Sequence, residues 1–179
     1  MRNIGGPKAQ RGLTLLELML ALALLGLLAA AAGPPLQALR QRHELRQAQG
    51  ALQMALLQLR SEALRRQALV RLCVADARGG CAAQGDWTQG WLLWADTDGD
   101  GQPGRAEPLL AQQAAWPAAL RLRGNATVAR GLRAGADGLI GPAGTLTVCH
   151  LDLQEGQQLV LSIAGRLRLQ AASAADCQR

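Results

Sequence analysis

One long apolar segment constrains the fold of this chain more than any other feature of its sequence. Residues 13–33 read LTLLELMLALALLGLLAAAAG and contain a single charged side chain, Glu17. As an α-helix this segment is about 30 Å long, which matches the hydrocarbon core of a bilayer. We therefore expect residues 13–33 to form a transmembrane helix, covered by lipid or by the helices of other subunits.

The positive charge of the chain is concentrated in its N-terminal third. The formal net charge is +6 at pH 7. Residues 1–12 carry three basic side chains and no acidic one, and residues 36–71 carry seven arginines against two glutamates, whereas residues 72–179 are close to neutral. Basic residues ahead of an apolar helix favour a cytoplasmic N-terminus, so membrane topology explains this charge as well as nucleic-acid binding does.

A small residue, Gly12, lies before the apolar segment, whereas an ordinary secretory signal has its cleavage site after it. Residues 11–17 read RGLTLLE, a string that resembles the processing site of type IV prepilins and type II secretion pseudopilins. The resemblance implies that a prepilin peptidase removes residues 1–12 by cutting after Gly12 and N-methylates Leu13. Glu17 then becomes the fifth mature residue, where that superfamily keeps a glutamate. Leu13 departs from the family's usual Phe.

The carboxylate of Glu17 needs a partner if it lies in hydrocarbon, where an unpaired charge costs several kcal/mol. After cleavage, the amine of Leu13 in a neighbouring subunit has the opposite charge. Pairing the two groups would fix the register of one helix against the next in a filament. The alternative is an unpaired glutamate that reaches the lipid headgroups near the helix end.

Beyond the apolar segment the sequence predicts a second helical part and then strands. Pro34 and Pro35 are expected to interrupt the helix. From Leu36 to about Leu72 apolar residues recur every three or four positions, with arginines largely between them. Short strand-like runs follow, separated by Gly, Pro, Asn and Asp. The predicted strands are residues 69–74, 90–95, 120–123, 145–151, 158–163 and 166–169.

A helix followed by strands is typical of an α+β fold in which an antiparallel β-sheet packs on the helix. The resemblance to type IV prepilins implies the type IV pilin-like version of this fold, whose long N-terminal helix is transmembrane in its first half. We expect three segments: a cleaved leader, residues 1–12; a transmembrane and filament-core helix, residues 13–33; and one periplasmic domain, residues 34–179.

Two internal segments narrow the resemblance to one branch of the superfamily. Residues 90–101 read GWLLWADTDGDG, and residues 165–168 read GRLR. Both are similar to segments of the GspH/FimT branch of the pseudopilins. The resemblance therefore spans nearly the whole chain.

The first of these segments also fits a calcium-binding template. The carboxylates of Asp96, Asp98, Asp100 and Glu107, with the backbone carbonyl of Gln102, have the spacing of a loop that wraps a hard cation. The strand-like run before the loop weighs against an EF-hand. The alternative is a polar β-turn, for which Asp and Gly supply the geometry.

The four cysteines all lie in the part of the chain expected in the periplasm, where disulfides persist. They are Cys73, Cys81, Cys149 and Cys177, and three pairings are possible. Proximity along the chain favours Cys73–Cys81 and Cys149–Cys177. The spacing fits no metal site, and adjacent Cys149 and His150 would point to opposite sides of a strand, which argues against a catalytic Cys–His pair.

The GRLR segment places Arg166 and Arg168 on one face of a strand, about 6.6 Å apart, with Leu167 and Leu169 directed inward. Two guanidinium groups at that separation can bind successive phosphates of one nucleic-acid strand. FimT-type minor pilins bind DNA through such a stretch, so the resemblance implies DNA contact here. The alternative is an ordinary solvated strand face.

No catalytic arrangement is evident, since the chain has two histidines, no Walker or dinucleotide loop and no HExxH motif, and no enzyme is expected. The favoured interpretation is a FimT-like minor pilin of a type IV pilus, single-pass in the inner membrane with a cytoplasmic N-terminus, which contacts DNA during uptake. The alternatives are a GspH-like minor pseudopilin of the type II secretion system and a DNA-binding receptor. The expected partners are prepilin peptidase, other minor pilins or pseudopilins, the inner membrane and DNA, and Ca²⁺ is the candidate cofactor.

Overall fold

The computed structural model describes residues 14–83 and 86–178, with the backbone alone for residues 29–35. Two of the expectations above concern residues outside this description, namely the leader, residues 1–12, and the processing residues Gly12 and Leu13.

The first element is a long α-helix, α1, which spans Leu15–Arg66. It crosses the boundary between the two compact units of the chain, Met1–Leu39 and Arg40–Arg179. The described leucines of its first part, from Leu15 to Leu28, are all more than half exposed. Within the described part of the chain, no helix is both long enough and apolar enough to cross a membrane.

The backbone of α1 continues through Pro34 and Pro35, contrary to the expected interruption. The fixed φ of proline, about −65°, suits a helix, and its cost lies in the missing amide donor and in contact with the preceding turn. Because helix propagation is cooperative, the turns on either side can maintain the helix across these positions.

The C-terminal end of α1 lies at Arg66, before the end near Leu72 that the apolar pattern predicts. Gln67 has a left-handed backbone conformation, with φ of 52°, and the Ala68 amide donates to the Ala63 carbonyl at 3.3 Å. Both are features of a Schellman helix end. The apolar pattern continues past this point because the next residues form a strand that is paired on both sides.

Nine strands form two antiparallel sheets in the described part of the chain. The first sheet has five strands in the order β3-β2-β1-β5-β6, and the second has four in the order β4-β7-β8-β9. A short helix, α2, follows the last strand. The bounds are β1 Val70–Val74, β2 Trp91–Ala95, β3 Leu109–Gln113, β4 Leu120–Gly124, β5 Gly131–Ala134, β6 Ile140–Gly141, β7 Gly144–His150, β8 Glu155–Leu161, β9 Leu167–Ala172 and α2 Ala174–Gln178.

The main hydrophobic core combines α1 with both sheets. The helix contributes a buried stripe of residues three and four positions apart, and its alanines leave room for close approach of the strands. The strands contribute mostly leucines and valines, and Trp87 fills the space before β2. The buried helix residues are Leu45, Ala48, Leu52, Ala55, Leu56, Leu59 and Ala63.

The predicted α+β fold with antiparallel strands is confirmed. All six predicted strands are present, with ends within three residues of the expected positions, but they belong to two sheets. The strands β3, β5 and β6 were not predicted from the sequence. These three strands complete the five-stranded sheet. The predicted strands β1 and β2 alone would have given a sheet of two strands.

Candidate functional sites

The start of α1 is fixed by reciprocal hydrogen bonds between Thr14 and Glu17. The Glu17 amide donates to Thr14 Oγ1 at 3.2 Å, and the Thr14 amide and hydroxyl donate to Glu17 Oε2 at 3.0 and 3.1 Å. This is a capping box, which satisfies amides that have no partner in the first turn of a helix. Glu17 Oε1 has no hydrogen-bond partner among the described residues.

The predicted calcium ligands lie in the loop between β2 and β3, which we call the acidic loop, residues 96–107. One carboxylate oxygen from each of Asp96, Asp98, Asp100 and Glu107 lies within 4.8 Å of the others. Gln102 is in the same loop, and its amide donates to Asp100 Oδ1 at 2.7 Å. The acidic loop joins two strands, whereas an EF-hand loop joins two helices.

Backbone amides of the acidic loop bind its own carboxylates. The Gly99 amide donates to Asp96 Oδ1 at 2.8 Å. The amides of Thr97 and Gly104 donate to Glu107 Oε1 and Oε2 at 2.6 and 2.9 Å. The Gly104 hydrogen bond, more than the opposing effect of burial, holds the pKa of Glu107 below its ordinary value. A hard cation would therefore meet four carboxyl groups that the loop already holds together, with the ionised form of Glu107 favoured.

An ion pair with β1 anchors the start of the acidic loop. Arg71 Nε donates to Asp96 Oδ2, and the Asp96 side chain is fully buried whereas that of Arg71 is 25% exposed. The two residues are 25 positions apart in sequence. The contact depends on the pairing of β1 with β2, which local sequence patterns do not reveal, so it was not predicted.

Both disulfides that proximity favours are present in the structure. Cys73 and Cys81 are joined with an S–S distance of 2.10 Å, and Cys149 and Cys177 with one of 1.96 Å. The second bond fastens α2 to the solvent side of β7. It lies directly over Gly156, where an added Cβ would be 2.6 Å from the Cys149 sulfur.

Cys149 and His150 point to opposite faces of β7, as the period of a strand requires. The Cys149 sulfur lies in the disulfide with Cys177. His150 is fully buried on the side that faces α1, and its Nε2 is 3.6 Å from Glu44 Oε2. The two neighbouring side chains therefore do not meet, and His150 belongs to the packing between helix and sheet.

The GRLR segment forms the second half of the β8–β9 hairpin. Gly165 has φ of 74° in the turn, and Arg166 closes the turn through its carbonyl, which accepts from the Ser162 amide at 3.0 Å. Leu167 packs against the core, and Leu169 lies on the same inward face, directly opposite the buried Leu159 of β8, although it is 45% exposed. Leu169 stays partly exposed because β9 is the edge strand of its sheet in the described part of the chain.

Two arginines of β4 lie on the same side of the sheet as Arg166 and Arg168. Strand register places Arg123 opposite Thr147 of β7, which in turn faces Gln158 of β8. The inward residues of β4 are buried leucines, so its arginines face solvent. No ion pair joins these arginines to an acidic side chain in the described ranges 14–83 and 86–178. We call this surface the basic face; its arginines are Arg121, Arg123, Arg166 and Arg168.

The basic face is wider than the pair Arg166 and Arg168 that the sequence predicted. With strands about 4.8 Å apart, the side chains of β4 and β9 are separated by roughly 14 Å across the sheet. Between them lie Thr147 and Gln158, to which Gln170 of β9 donates at 2.6 Å, and the Cys149–Cys177 disulfide that holds α2. The sequence signal for the β4 arginines of the basic face was the alternation of leucine and arginine in Leu120–Gly124, which reads LRLRG.

The chain matches two family models. One describes the type II transport protein GspH and covers residues 48–165, and the other describes the prokaryotic N-terminal methylation motif and covers residues 7–33. No curated protein sequence matches the chain.

Two kinds of solved structure are similar to this fold. The type IV minor pilin FimU of Pseudomonas aeruginosa aligns with a TM-score of 0.55 and 22% identity, over 75% of this chain and 92% of FimU. The minor pseudopilin EpsH from the Type 2 Secretion System of Vibrio cholerae aligns with a TM-score of 0.52 and 18% identity, over 72% of this chain and 97% of EpsH. At these identities the likeness concerns the fold.

Proposed function

This chain belongs to the GspH family of type II transport proteins, and from that premise we propose that it is a minor pilin or pseudopilin, anchored in the inner membrane and assembled into a filament through its N-terminal helix. Its work is structural. The neighbouring folds come from two machines, since FimU is a type IV minor pilin and EpsH a minor pseudopilin of type 2 secretion. We favour the type IV pilus, in a FimT-like role, with a GspH-like role in type II secretion as the alternative.

The observation that carries this proposal is the methylation motif on residues 7–33, which includes the exposed, leucine-rich first part of α1. In this proposal a prepilin peptidase cuts after Gly12 and methylates Leu13. Residues 1–12 leave as the leader, residues 13–33 form the membrane and filament-core helix, and residues 34–179 form the periplasmic domain. A leucine-rich surface on every side of a helix needs lipid or neighbouring helices to cover it.

Glu17 supplies the specific contact in the assembly step. Its Oε2 is engaged by Thr14, and its Oε1 has no hydrogen-bond partner among the described residues. The amine that cleavage creates on Leu13 of a neighbouring subunit would pair with Oε1 in surroundings of low dielectric constant, where an ion pair is strong. The pair would set the axial register between subunits.

Processing can be tested by expressing the full-length chain with and without the prepilin peptidase and measuring the intact mass of the membrane-bound form. We expect loss of residues 1–12 and gain of one methyl group when the peptidase is present. Gly12→Val, which places a branched side chain at the cut, is expected to retain the leader. Retention of the leader by the wild-type chain in the presence of the peptidase would contradict the proposal.

A deletion strain distinguishes the two machines. Loss of twitching and of DNA uptake, with normal exoprotein secretion, is expected for the type IV pilus role. Loss of exoprotein secretion with normal twitching would assign the chain to the type II secretion role instead. Both phenotypes are scored against a strain that carries the gene back on a plasmid.

We also propose that the basic face contacts DNA, and the observation that favours this second role is its set of four arginines without described acidic partners. Phosphate groups attract such a surface without regard to base sequence. Arg60 of α1 holds the hairpin that carries Arg166 and Arg168, because its Nη1 donates to the Ala164 carbonyl at 3.2 Å. A DNA-binding receptor anchored in the membrane is the corresponding alternative to the filament role.

DNA contact is tested by fluorescence anisotropy with a labelled duplex and the full chain in detergent. Arg166→Gln/Arg168→Gln and Arg121→Gln/Arg123→Gln should each weaken binding, with a less negative slope of log affinity against log salt. Arg46→Gln/Arg65→Gln removes the same charge from exposed helix positions and should have a smaller effect. Equal DNA affinity of the wild-type chain and both basic-face variants would contradict DNA binding by the basic face.

A further inference from the structure

The five-stranded sheet carries a cavity on the side that faces away from α1. Its volume is about 560 Å³, within the range of small-ligand sites. Three arginines line it, Arg71 of β1, Arg133 of β5 and Arg130 just before β5. Trp94 and the Cys73–Cys81 disulfide form an apolar part of its wall. None of the described lining residues is acidic.

The register of the sheet brings two of these arginines side by side. Arg71 is the direct cross-strand neighbour of Arg133 on one side and of Trp94 on the other. Like charges directly opposite each other on adjacent strands destabilise a sheet unless a counter-charge is near. Asp96 supplies that counter-charge to Arg71 through the ion pair described above.

The other two arginines have no such compensation. Arg130 and Arg133 are exposed, and no acidic side chain in the described part of the chain forms an ion pair with either. The described charged side chains that line the recess are all basic, which favours anions, while Gly101 and Gln102 of the acidic loop form another part of its wall. In addition, the buried Trp94 lines the cavity beside Arg71.

We propose that this cavity binds a compact phosphate-class oxyanion with at least two negative charges, held by the guanidinium groups of Arg130 and Arg133 and by the remaining donors of Arg71. Guanidinium groups match the geometry of phosphate oxygens through paired N–H donors. The disulfide and Trp94 limit the size of the group that enters. The cavity lies on the five-stranded sheet, so this site is separate from the basic face on the four-stranded sheet and does not rest on the proposed DNA contact.

The test is isothermal titration of inorganic pyrophosphate into the full chain in detergent at low ionic strength. We expect binding to the wild-type chain, at least tenfold weaker binding to Arg130→Gln/Arg133→Gln, and affinity within twofold of wild type for Arg46→Gln/Arg65→Gln. Thermal unfolding of each variant verifies that the fold is retained, which the exposure of these arginines favours. No binding to the wild-type chain, or equal affinity of the Arg130→Gln/Arg133→Gln variant, would overturn the proposal.

A competition experiment identifies the source of the phosphate. If a short DNA duplex displaces pyrophosphate from a variant in which all four arginines of the basic face are replaced by Gln, the cavity receives a phosphate of a nucleic-acid backbone. If pyrophosphate stays bound, the ligand is a free oxyanion. Both results support the cavity as a phosphate site.

Discussion

Thr14 and Glu17 cap the start of α1 by reciprocal hydrogen bonds, and this contact uses only one of the two carboxylate oxygens of Glu17. The same side chain can therefore hold the helix start and pair with an amine from another subunit. A glutamine retains an oxygen acceptor for the cap, as capping boxes with Gln do, but it lacks the charge. The two roles can thus be separated by mutation.

Replacing Glu17 by Gln should leave processing intact and prevent assembly. The cap survives, whereas the amine of the neighbouring chain loses its counter-charge in an apolar environment. We expect at least a tenfold decrease of the protein in sheared filaments, measured by immunoblot, with normal amounts in the membrane. Thr14→Val, which weakens the cap by about 1 kcal/mol but keeps the charge, should still assemble. Wild-type filament levels of the Gln variant would refute the pairing role.

Replacing Asp96 by Asn should destabilise the domain that contains the two sheets by about 2–4 kcal/mol, because it leaves the partly buried Arg71 guanidinium without a counter-charge. Urea unfolding of the full chain in detergent, followed by tryptophan fluorescence, measures the effect. Asp98→Asn is the matched control, since Asp98 is exposed and should change stability by no more than about 0.5 kcal/mol. Equal midpoints for the two variants would mean that the ion pair contributes nothing.

The contribution of Glu107 to stability should depend on pH. Hydrogen bonds from loop amides hold its pKa below the ordinary value in the folded chain, so the ionised form favours folding. Its contribution is complete above the unfolded-state pKa and disappears as the pH falls through the lower, folded-state pKa. We expect the stability difference between wild type and Glu107→Gln to be largest near neutral pH and to shrink below about pH 4.5. A difference that stays constant from pH 7 to pH 3 would contradict this assignment.

Calcium binding by the acidic loop remains a prediction, which calorimetry can decide. Four gathered carboxylates suit a hard cation. Titration of Ca²⁺ into the full chain should release or absorb heat for the wild type and for Asp137→Ala, which lies outside the acidic loop. Asp98→Ala should give none, because Asp98 holds no buried contact that would confuse the result. The absence of heat with the wild-type chain would end the calcium interpretation.

Gly156→Ala should destabilise the four-stranded sheet by about 1–3 kcal/mol, since overpacking a well-packed site has a cost of that size. The added Cβ would lie 2.6 Å from the Cys149 sulfur, 2.8 Å from the Cys177 sulfur and 2.7 Å from the Val148 carbonyl oxygen. Thermal unfolding measures the loss. Gly141→Ala is the control, because a Cβ there meets nothing within 4 Å. If both variants melt together, the disulfide does not pack on Gly156 as described.

The sequence predicted those parts of the fold in which chemistry follows a regular period. The strand Leu120–Gly124 alternates leucine and arginine, and the helix stripe repeats every three or four residues, so both were predicted. The strands Leu109–Gln113 and Gly131–Ala134 read LLAQQ and GLRA, and they lack the β-branched and aromatic residues that favour strands. They are strands because neighbours on the sheet supply hydrogen-bond partners, which no local pattern records.

The candidate sites follow the same division. The carboxylate cluster of the acidic loop was predicted from the spacing of its residues, and both disulfides were predicted from the proximity of their cysteines along the chain. The Arg71–Asp96 ion pair and the Arg71–Arg133 juxtaposition depend on which strands are adjacent. The capping box has a local sequence signal, Thr14 three residues before Glu17.

The position of β9 at the margin of its sheet has a consequence for solubility. No described strand pairs with its outer side, and such an open margin is a template on which a second chain can add and aggregate. The exposed Leu169 would favour that addition, whereas Arg168 next to it opposes the approach of an identical positively charged strand. Arg168 thus opposes the pairing of β9 with the same strand of a second chain.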